Sequence, residues 1–153
     1  MIRKIGLQDR DAYLAMSKAF YRSDAVLHTI PEEHFQTTFK HIIADSPYVE
    51  GYIFEDAGKT IGYVLLSFTY SNEAGGLVLL IEEVYILPEF QGQGLGAEFL
   101  TFLESTYHDK VVLMRLEVEK SNKTALHLYQ KLGFTKVAYL QLYKKPKSHR
   151  QKR

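Results

Sequence analysis

The stretch Gln91-Gly92-Gln93-Gly94-Leu95-Gly96 determines how the surrounding sequence is interpreted. It follows an apolar run from Leu77 to Leu87, which predicts a strand, and it opens a helical pattern that begins near Leu95. Glycines let the backbone approach a ligand closely, and a helix N-terminus offers unpaired N–H donors at the positive end of its dipole. The sequence therefore predicts a site for a phosphate group at this turn.

Upstream of the glycine turn, the apolar spacing predicts one strand, two helices and three strands. Tyr13, Met16 and Phe20 repeat at helical spacing, and the turn at 56–59 predicts a hairpin. The predicted elements are a strand at Ile2 to Ile5, a helix from about Leu7 to Tyr21, a loop over 22–30, a helix around Phe35 to Ile43 between Pro31 and Pro47, and strands at Tyr48 to Glu55, Thr60 to Tyr70 and Leu77 to Leu87.

Downstream of the turn, the pattern predicts two more helices and further strands. Leu95, Phe99 and Leu103 mark one face of a helix, and Gly133 is placed to end the second helix. The resulting order is β-α-α-β-β-β-α-β-α-β-β in a single α/β domain. The predicted elements are a helix from Leu95, a strand at Val111 to Val118, a helix containing Ala125, Leu128, Tyr129 and Leu132, and one or two final strands within Phe134 to Tyr143.

Composition narrows the class of protein. A chain of 153 residues can bury one core, and 46% hydrophobic with 24% charged residues is ordinary for a globular protein. The sequence starts with no secretory signal and has no apolar run long enough for a membrane, so we expect a cytoplasmic protein. With no cysteine, and six histidines that show no ligand spacing, we expect neither disulfides nor a metal site.

Charge is unevenly distributed along the chain. Residues 144–153 contain six Lys or Arg, and the remainder has 13 basic and 18 acidic residues, a net charge of −5. We predict that residues 1–143 form the domain and that residues 144–153 are a disordered basic tail. An acidic body attracts cationic small molecules.

Two well-known phosphate-binding motifs fit the glycine turn poorly. The P-loop requires a Gly-Lys-Ser/Thr sequence, which is absent here. Residues 92–97 satisfy a loose dinucleotide pattern, with Glu117 and Glu119 about 20 residues further on. However, residues 88–91 separate the strand from the glycines, whereas the dinucleotide turn is tight. We therefore do not expect a nicotinamide cofactor.

A third pattern fits better, and it extends over two segments. Ile86-x-Pro88-x-x-Gln91-Gly92-x-Gly94-Leu95-Gly96 resembles motif A of the GCN5-related N-acetyltransferases, with Gln91 in place of the commoner Arg. Asn122-x-x-Ala125-x-x-Leu128-Tyr129-x-x-Leu132-Gly133-Phe134 resembles motif B of the same family. The resemblance implies a mixed, mostly antiparallel sheet flanked by helices, with two strands splayed at the cofactor site.

The family's cofactor is acetyl-CoA, so the resemblance assigns cofactor-binding residues. The glycine turn would hold the pyrophosphate, and the strand before it would pair with pantetheine. A backbone N–H of that strand would polarise the acetyl carbonyl. The implied cofactor-binding residues are Val84, Tyr85, Ile86, Gln91, Gly92, Gln93, Gly94, Leu95, Gly96, Ala97, Asn122 and Tyr129. Asn122 has a helix N-cap as its alternative role.

Three side chains are candidates for catalysis. By resemblance Tyr129 would be the general acid that reprotonates the thiolate; its apolar spacing alone would make it a core residue. Glu82 and Glu83 interrupt an apolar strand, and strand alternation would place them on opposite faces. We favour Glu82 as the base for the acceptor amine and keep Glu83 as the alternative.

The acceptor is less well defined by the sequence. The run Phe68-Thr69-Tyr70 and the pair Glu82-Glu83 are similar to the diamine and polyamine acetyltransferases, and the acidic body favours a small cationic amine. The loop after the first helix would border the acceptor through Tyr21, Asp24 and His28. An aminoglycoside-like amine or a protein amine stays as an alternative acceptor, and a non-catalytic CoA-binding or nucleic-acid-associated module stays as an alternative function. The family also implies a possible homodimer through exposed strand edges.

Overall fold

The computed structural model describes residues 1–147 and contains one five-stranded sheet with the strand order β1-β2-β3-β4-β5. The first four strands pair antiparallel to one another, and β5 pairs parallel to β4. The sheet is therefore mixed and mostly antiparallel, as predicted. The strands are β1 (Ile2–Lys4), β2 (Val49–Asp56), β3 (Lys59–Ser71), β4 (Gly76–Ile86) and β5 (Leu113–Leu116).

Within residues 1–147, four α-helices and two 3-10 turns accompany the sheet. Asn122 caps the last helix and Gly133 follows its end with φ +99°, so both predicted boundaries are confirmed. The helices are α1 (Arg10–Phe20), α2 (Glu32–Ile43), α3 (Leu95–Tyr107) and α4 (Lys123–Lys131), and the 3-10 turns lie at Leu7–Asp9 and Pro88–Phe90. Within the described residues no helix is long and apolar enough to cross a membrane.

Strand alternation divides the core into two parts. On one face of the sheet, Ile53, Tyr63 and Leu65 pack against α1 and α2. On the other face, Phe54 and Leu66 pack against α3, with the rings of Phe54 and Phe99 only 4.2 Å apart. The two layers fix β3 and β4 between helices and so position the residues at the end of β4.

Strands β4 and β5 diverge along their length. They pair only from Val78–Leu113 to Ile81–Leu116. Beyond Ile81, the β5 side of β4 has no strand partner among residues 1–147. The splay implied by the family resemblance is therefore present, and its open end faces the glycine turn.

The prediction of final strands within Phe134 to Tyr143 is wrong for the described chain. This segment has no strand and lies off the sheet, with large apolar side chains exposed. Phe134 is tied to α4 by a bond from its N–H to the Tyr129 carbonyl, and Tyr139 donates to Glu73. Strand propensity depends on a neighbouring strand to pack against, and within one copy this segment has none. Of the predicted basic tail, residues 148–153 lie outside the described residues.

Candidate active site

The glycine turn opens helix α3 in a left-handed backbone conformation. Gly92 has φ +78°, and Gly94, the N-cap of α3, has φ +79°. A Cβ at either position would meet nothing within 4 Å, so the glycines are required by conformation rather than by crowding. The open space above them leaves the N–H groups at the start of α3 accessible to an anion.

Gln91 connects the turn to the strand before it. Its side-chain amide donates to the carbonyl of Ile86 at 2.8 Å, across the 3-10 turn at Pro88–Phe90. The bond satisfies the last carbonyl of β4 and fixes the direction in which the chain enters the glycine turn. This contact gives Gln91, where the family has more often Arg, a local structural role.

A cleft of about 600 Å³ opens between the diverging ends of β4 and β5 and continues to α4. We call it the main cleft. Most of the predicted cofactor and catalytic residues line it, whereas Tyr85 and Gln93 do not, because the Tyr85 ring packs towards Tyr63 and Gln93 is exposed. The predicted residues that line the main cleft are Glu82, Glu83, Val84, Ile86, Gln91, Gly92, Gly94, Leu95, Gly96, Ala97, Asn122 and Tyr129.

Both glutamates of β4 face the same side, which corrects the expectation that they point to opposite faces. Leu65 pairs with Glu83 and Leu66 with Ile81, so Glu82 is an extra, bulged residue. Ser67 donates to Glu82 at 2.8 Å and Tyr63 donates to Glu83 at 2.7 Å. Ser67 and Tyr63 lie four residues apart on β3 and therefore share one face. The bulge brings both carboxylates to the main cleft.

The two carboxylates differ in environment. Glu82 is exposed, whereas Glu83 is only 7% exposed. The Tyr21 hydroxyl donates to Glu83 Oε2 at 2.6 Å, and the Tyr63 hydroxyl donates to Oε1. Burial raises the pKa of the Glu83 carboxyl, while the bonds from Tyr21 and Tyr63 act in the opposite direction. Burial and the bond to Glu83 raise the pKa of Tyr21, so its hydroxyl remains a donor at neutral pH.

Tyr129 lies on the opposite wall of the main cleft, on α4. Its ring packs against Phe134 at 6.0 Å between centroids, and burial raises the pKa of its hydroxyl. Within residues 1–147 the hydroxyl makes no hydrogen bond, in contrast to Tyr21 and Tyr63. Tyr129 is therefore both a core ring and a phenol available to a ligand.

Asn122 occupies the start of α4. Its side-chain oxygen accepts a bond from the Ala125 N–H at 3.3 Å, which confirms the N-cap role. The same residue lines the main cleft. Its proposed bond to a cofactor arm remains a prediction.

The predicted acceptor residues are only partly brought together. A second recess of about 550 Å³, lined by Asp24 and by Glu119, adjoins the main cleft and shares Glu119, Asn122 and Thr124 with it. Tyr21 lines neither space and is connected to the site by its hydrogen bond to Glu83. His28 is exposed in the loop and lines neither space. The Phe68-Thr69-Tyr70 run also lies outside both, since Phe68 packs on Tyr107 and Tyr70 is 72% exposed.

Several residues of the site were missed by the sequence analysis. Tyr63 and Ser67, which bond the two glutamates, come from β3, and their alternation on that strand was the available signal. The end of β5 contributes because the chain leaves the sheet there. The other lining residues that were not predicted include Phe20, Ala25, Phe90, Leu116, Glu117, Val118, Glu119, Thr124, His127 and Lys131.

Comparison with solved structures defines the class of fold. The chain superposes on a possible acetyltransferase from Clostridium difficile 630 with a TM-score of 0.83, 19% identity and coverage of 97% of this chain and 98% of that chain. The aminoglycoside N-acetyltransferase AAC(6')-Iy, in complex with a CoA-containing bisubstrate analogue, gives a TM-score of 0.77, 18% identity and coverage of 95% and 97%. Because both proteins are less than 20% identical in sequence to this chain, their structural similarity establishes the fold alone.

The family follows from the sequence. The profile of the Acetyltransferase (GNAT) family matches residues 13–134, and the chain belongs to that family, as the two motifs predicted. The thialysine N-epsilon-acetyltransferase of Bos taurus is 38% identical over 74 residues, 48% of this chain and 43% of that protein. The L-amino acid N-acyltransferase MnaT of Escherichia coli (strain K12) is 35% identical over 89 residues, 56% of this chain and 50% of that protein. The match thus spans about half the length of these curated relatives.

Proposed function

We propose that this protein transfers an acetyl group from acetyl-CoA to the amine of a small cationic acceptor by direct attack. The observation that carries the proposal is the convergence of three features on one cleft. A glycine turn with accessible N–H groups lies at one end, two carboxylates line the β4 wall, and the Tyr129 hydroxyl lies on α4. Family membership supports the same reaction.

The residues present fit CoA. The N–H groups at the start of α3, above Gly92 and Gly94, suit a pyrophosphate, since the positions where a Cβ would stand are open. The β5 side of β4 beyond Ile81 has backbone groups free for an extended amide ligand. Bound acetyl-CoA would supply, from its thioester, the acetyl group that is transferred to the amine, with CoA leaving as the thiol.

Glu82 is the proposed base. An alkylammonium with a pKa near 10 must lose a proton before it attacks, which costs about 4 kcal/mol at neutral pH. The exposed Glu82 carboxylate accepts that proton, directly or through water. A backbone N–H of Val84 to Ile86 stabilises negative charge on the carbonyl oxygen. The Tyr129 hydroxyl, on the other wall, donates a proton to the leaving sulfur.

The charge of the cleft supports a cationic acceptor. Four carboxylates line it, from Glu82, Glu83, Glu117 and Glu119, against one Lys131. Such a surface concentrates cations. Thialysine N-epsilon-acetyltransferase, a matched relative, is named for acetylation of a side-chain amine. Asp24, in the adjoining recess, would contact the far end of an acceptor.

Calorimetric titration of acetyl-CoA tests the cofactor, and an amine panel followed by thiol release tests the reaction, because the chain has no cysteine to give background. Gly94→Val is expected to weaken acetyl-CoA binding by more than tenfold, since a side chain is strained at positive φ and covers the N–H groups. Gly75→Val is the matched control, because Gly75 has φ +84° and open surroundings in the β3–β4 turn. Absence of binding up to millimolar acetyl-CoA would refute the proposal.

We also propose a homodimer in which the Phe134–Tyr143 segment of one copy pairs with the outer edge of β5 in another, an edge that has no strand partner among residues 1–147. Leu140, Leu142 and Tyr143 are 86–89% exposed, an apolar surface that a monomer rarely presents. Light scattering should give twice the chain mass, and Leu140→Lys should lower it. Leu7→Lys, at a residue 72% exposed on the far side of the sheet, is the control. A monomeric mass for the unmodified protein would refute the dimer.

A further inference from the structure

The buried carboxylate of Glu83 lacks a cationic partner among the described residues. Its two oxygens accept only the neutral hydroxyls of Tyr21 and Tyr63, and it takes part in none of the ion pairs of residues 1–147. A buried carboxylate is costly unless a counter-charge compensates it. Asp9, which is 4% exposed, has such a partner in Arg3 at 2.7 Å. The counter-charge for Glu83 must therefore come from a group other than the described side chains.

The Glu83 carboxylate also has capacity to bind more. A carboxylate offers about four acceptor positions, and the two phenols use one on each oxygen. A phenol that donates to Glu83 can still accept a bond at its own oxygen. An ammonium group, with its three donors, could therefore bond Glu83 and the Tyr21 oxygen together.

The two phenols are not equivalent. Tyr63 is 0% exposed, in the middle of β3. Tyr21 is half-buried at the end of α1, where the loop over 22–30 begins, and its ring packs against Phe20 at 5.1 Å and Phe35 at 5.6 Å. Phe20 and Ala25, on either side of Tyr21 in the chain, line the main cleft. Tyr21 does not itself line the main cleft, but it is the less buried partner of Glu83, which does.

We propose that Glu83 and the Tyr21 hydroxyl form a subsite for a positively charged group of the acceptor that is not acetylated. The inference rests on the proposed function and deepens it: the acceptor is an amine that carries a second ammonium group. A buried carboxylate stabilises the protonated amine, which is the wrong state for attack. The exposed Glu82, on the same face, handles the reacting nitrogen instead. Of the two neighbouring glutamates, Glu82 therefore removes the proton and Glu83 recognises the second positive charge.

A matched pair of acceptors tests the division. 1,4-Diaminobutane and butylamine share one reacting amine and differ in the second charge. We expect the unmodified protein to show a kcat/KM at least 30-fold higher for the diamine, about the effect of one well-placed buried charge pair. Glu83→Gln keeps the shape and should lose most of this ratio. Glu82→Gln should lower kcat for both amines and keep the ratio.

Tyr21→Phe separates recognition from structural support. It should raise the KM for 1,4-diaminobutane roughly tenfold or more, the effect of one hydrogen bond to a charged group, with a smaller change in kcat. Tyr107→Phe is the matched control, since it removes a phenol bond to Glu50 outside the main cleft. It should leave the ratio between the two amines unchanged. An equal change of the ratio in both Phe variants would contradict a recognition role for Tyr21.

Binding gives a readout that does not need turnover. Calorimetry of the full-length protein saturated with CoA should show tighter binding of 1,4-diaminobutane than of butylamine, and Glu83→Gln should remove the difference. If neither amine is acetylated but this binding preference is present, the proposed reaction fails and the subsite stands. If both amines are acetylated with a ratio that Glu83→Gln leaves unchanged, the subsite is refuted and the reaction stands. Equal binding of both amines to the unmodified protein also refutes the subsite.

Discussion

Two clusters in this protein combine one glutamate with two tyrosines, and only one of them borders the main cleft, through its glutamate. The cleft cluster consists of Glu83, Tyr21 and Tyr63. The distal cluster consists of Glu50, Tyr52 and Tyr107: Tyr107 donates to Glu50, and the Tyr52 and Tyr107 hydroxyls are 2.8 Å apart. Burial raises the pKa of Tyr21 and Tyr63 in the first cluster and of Tyr107 in the second, so these hydroxyls stay protonated at neutral pH.

The difference between the clusters lies in their surroundings. The distal cluster joins β2 to the end of α3, with Phe68 and Lys110 packed on the Tyr107 ring, and it lines neither the main cleft nor the recess. The cleft cluster joins the end of α1 to β4 beside the bulge at Glu82. The same hydrogen-bonding chemistry therefore supports the fold in one place and is available to a ligand in the other. Burial and bonding alone do not identify a functional carboxylate; access from the cleft does.

The largest difference in activity is expected between variants of two carboxylates, one beside the cleft cluster and one in the distal cluster. Glu82→Gln, next to the cleft cluster, should lower kcat by about 100-fold or more, the usual contribution of a general base. The deficit should shrink as the pH rises towards 10, because an alkylamine then loses its proton without help. Steady-state kinetics over pH 6–10 with one amine provides the measurement.

Glu50→Gln is the matched change in the distal cluster. It removes a carboxylate that bonds a phenol but lies outside the cleft, so kcat should stay within about twofold while the melting temperature falls. A Glu82→Gln deficit that is constant with pH, or a similar loss of kcat in Glu50→Gln, would contradict the role of Glu82 as base.

A smaller effect is expected from Tyr129, a tyrosine that lines the main cleft and belongs to neither cluster. Its hydroxyl has no partner among residues 1–147 and its pKa is raised by burial, so it stays protonated as a general acid requires. Tyr129→Phe should lower kcat by roughly tenfold to 100-fold while leaving acetyl-CoA affinity nearly unchanged. Tyr107→Phe, which also removes one hydroxyl, should keep full kcat. Full activity in Tyr129→Phe would mean that the residue serves only as a core ring.

The sequence predicted correctly those features that depend on a few consecutive residues. The glycine turn, the cap at Asn122 and the stop at Gly133 each follow from a few consecutive positions, and all three are present. Glu82 and Glu83 were found as two acids in an apolar strand, yet their orientation was predicted wrongly. A bulge depends on the register against the next strand, and residue alternation cannot show it.

Contacts between distant segments were beyond the sequence. Tyr21 and Glu83 are 62 residues apart, and Tyr63 is 20 residues from Glu83. No local sequence pattern predicts such a contact, because it depends on the tertiary fold and not on neighbouring residues. The Phe134–Tyr143 segment illustrates the opposite error: strand-forming residues were present, but the neighbouring strand that would make them a strand was not supplied within one copy.

A third prediction compares how pH affects two buried acids. The folded-state pKa of Glu83 is raised, so the folded protein favours its protonated form. Stability should therefore fall as pH rises from about 4.3, the unfolded value, through the folded pKa. The melting temperature of the unmodified protein should accordingly drop relative to Glu83→Gln as pH increases from 4 to 7.

Asp9 is the control of opposite sign. The hydrogen bond from Arg3 lowers the pKa of Asp9, so its contribution to stability is present above about 3.9 and is lost as pH falls through the lower folded pKa. Relative to Asp9→Asn, the unmodified protein should lose stability towards acid. The same pH trend for both pairs would contradict the distinction between a carboxylate that has a cationic partner and one that lacks it.

The smallest effects should come from single hydroxyls in the two clusters. Tyr21→Phe removes a bond to Glu83, and Tyr107→Phe removes a bond to Glu50 together with the contact to Tyr52. A hydrogen bond to a charged group is worth about 1.5–3 kcal/mol, so each variant should lower the melting temperature by roughly 3 °C or more, and Tyr107→Phe by at least as much as Tyr21→Phe. With 1,4-diaminobutane, the unmodified protein and Tyr107→Phe should gain the same thermal stability, and Tyr21→Phe should gain less, since ligand stabilisation follows affinity. Removing a phenol that contacts the acceptor must weaken binding of the acceptor. An equal gain in thermal stability in all three proteins would therefore mean that the Tyr21 hydroxyl has only a structural role, like that of Tyr107.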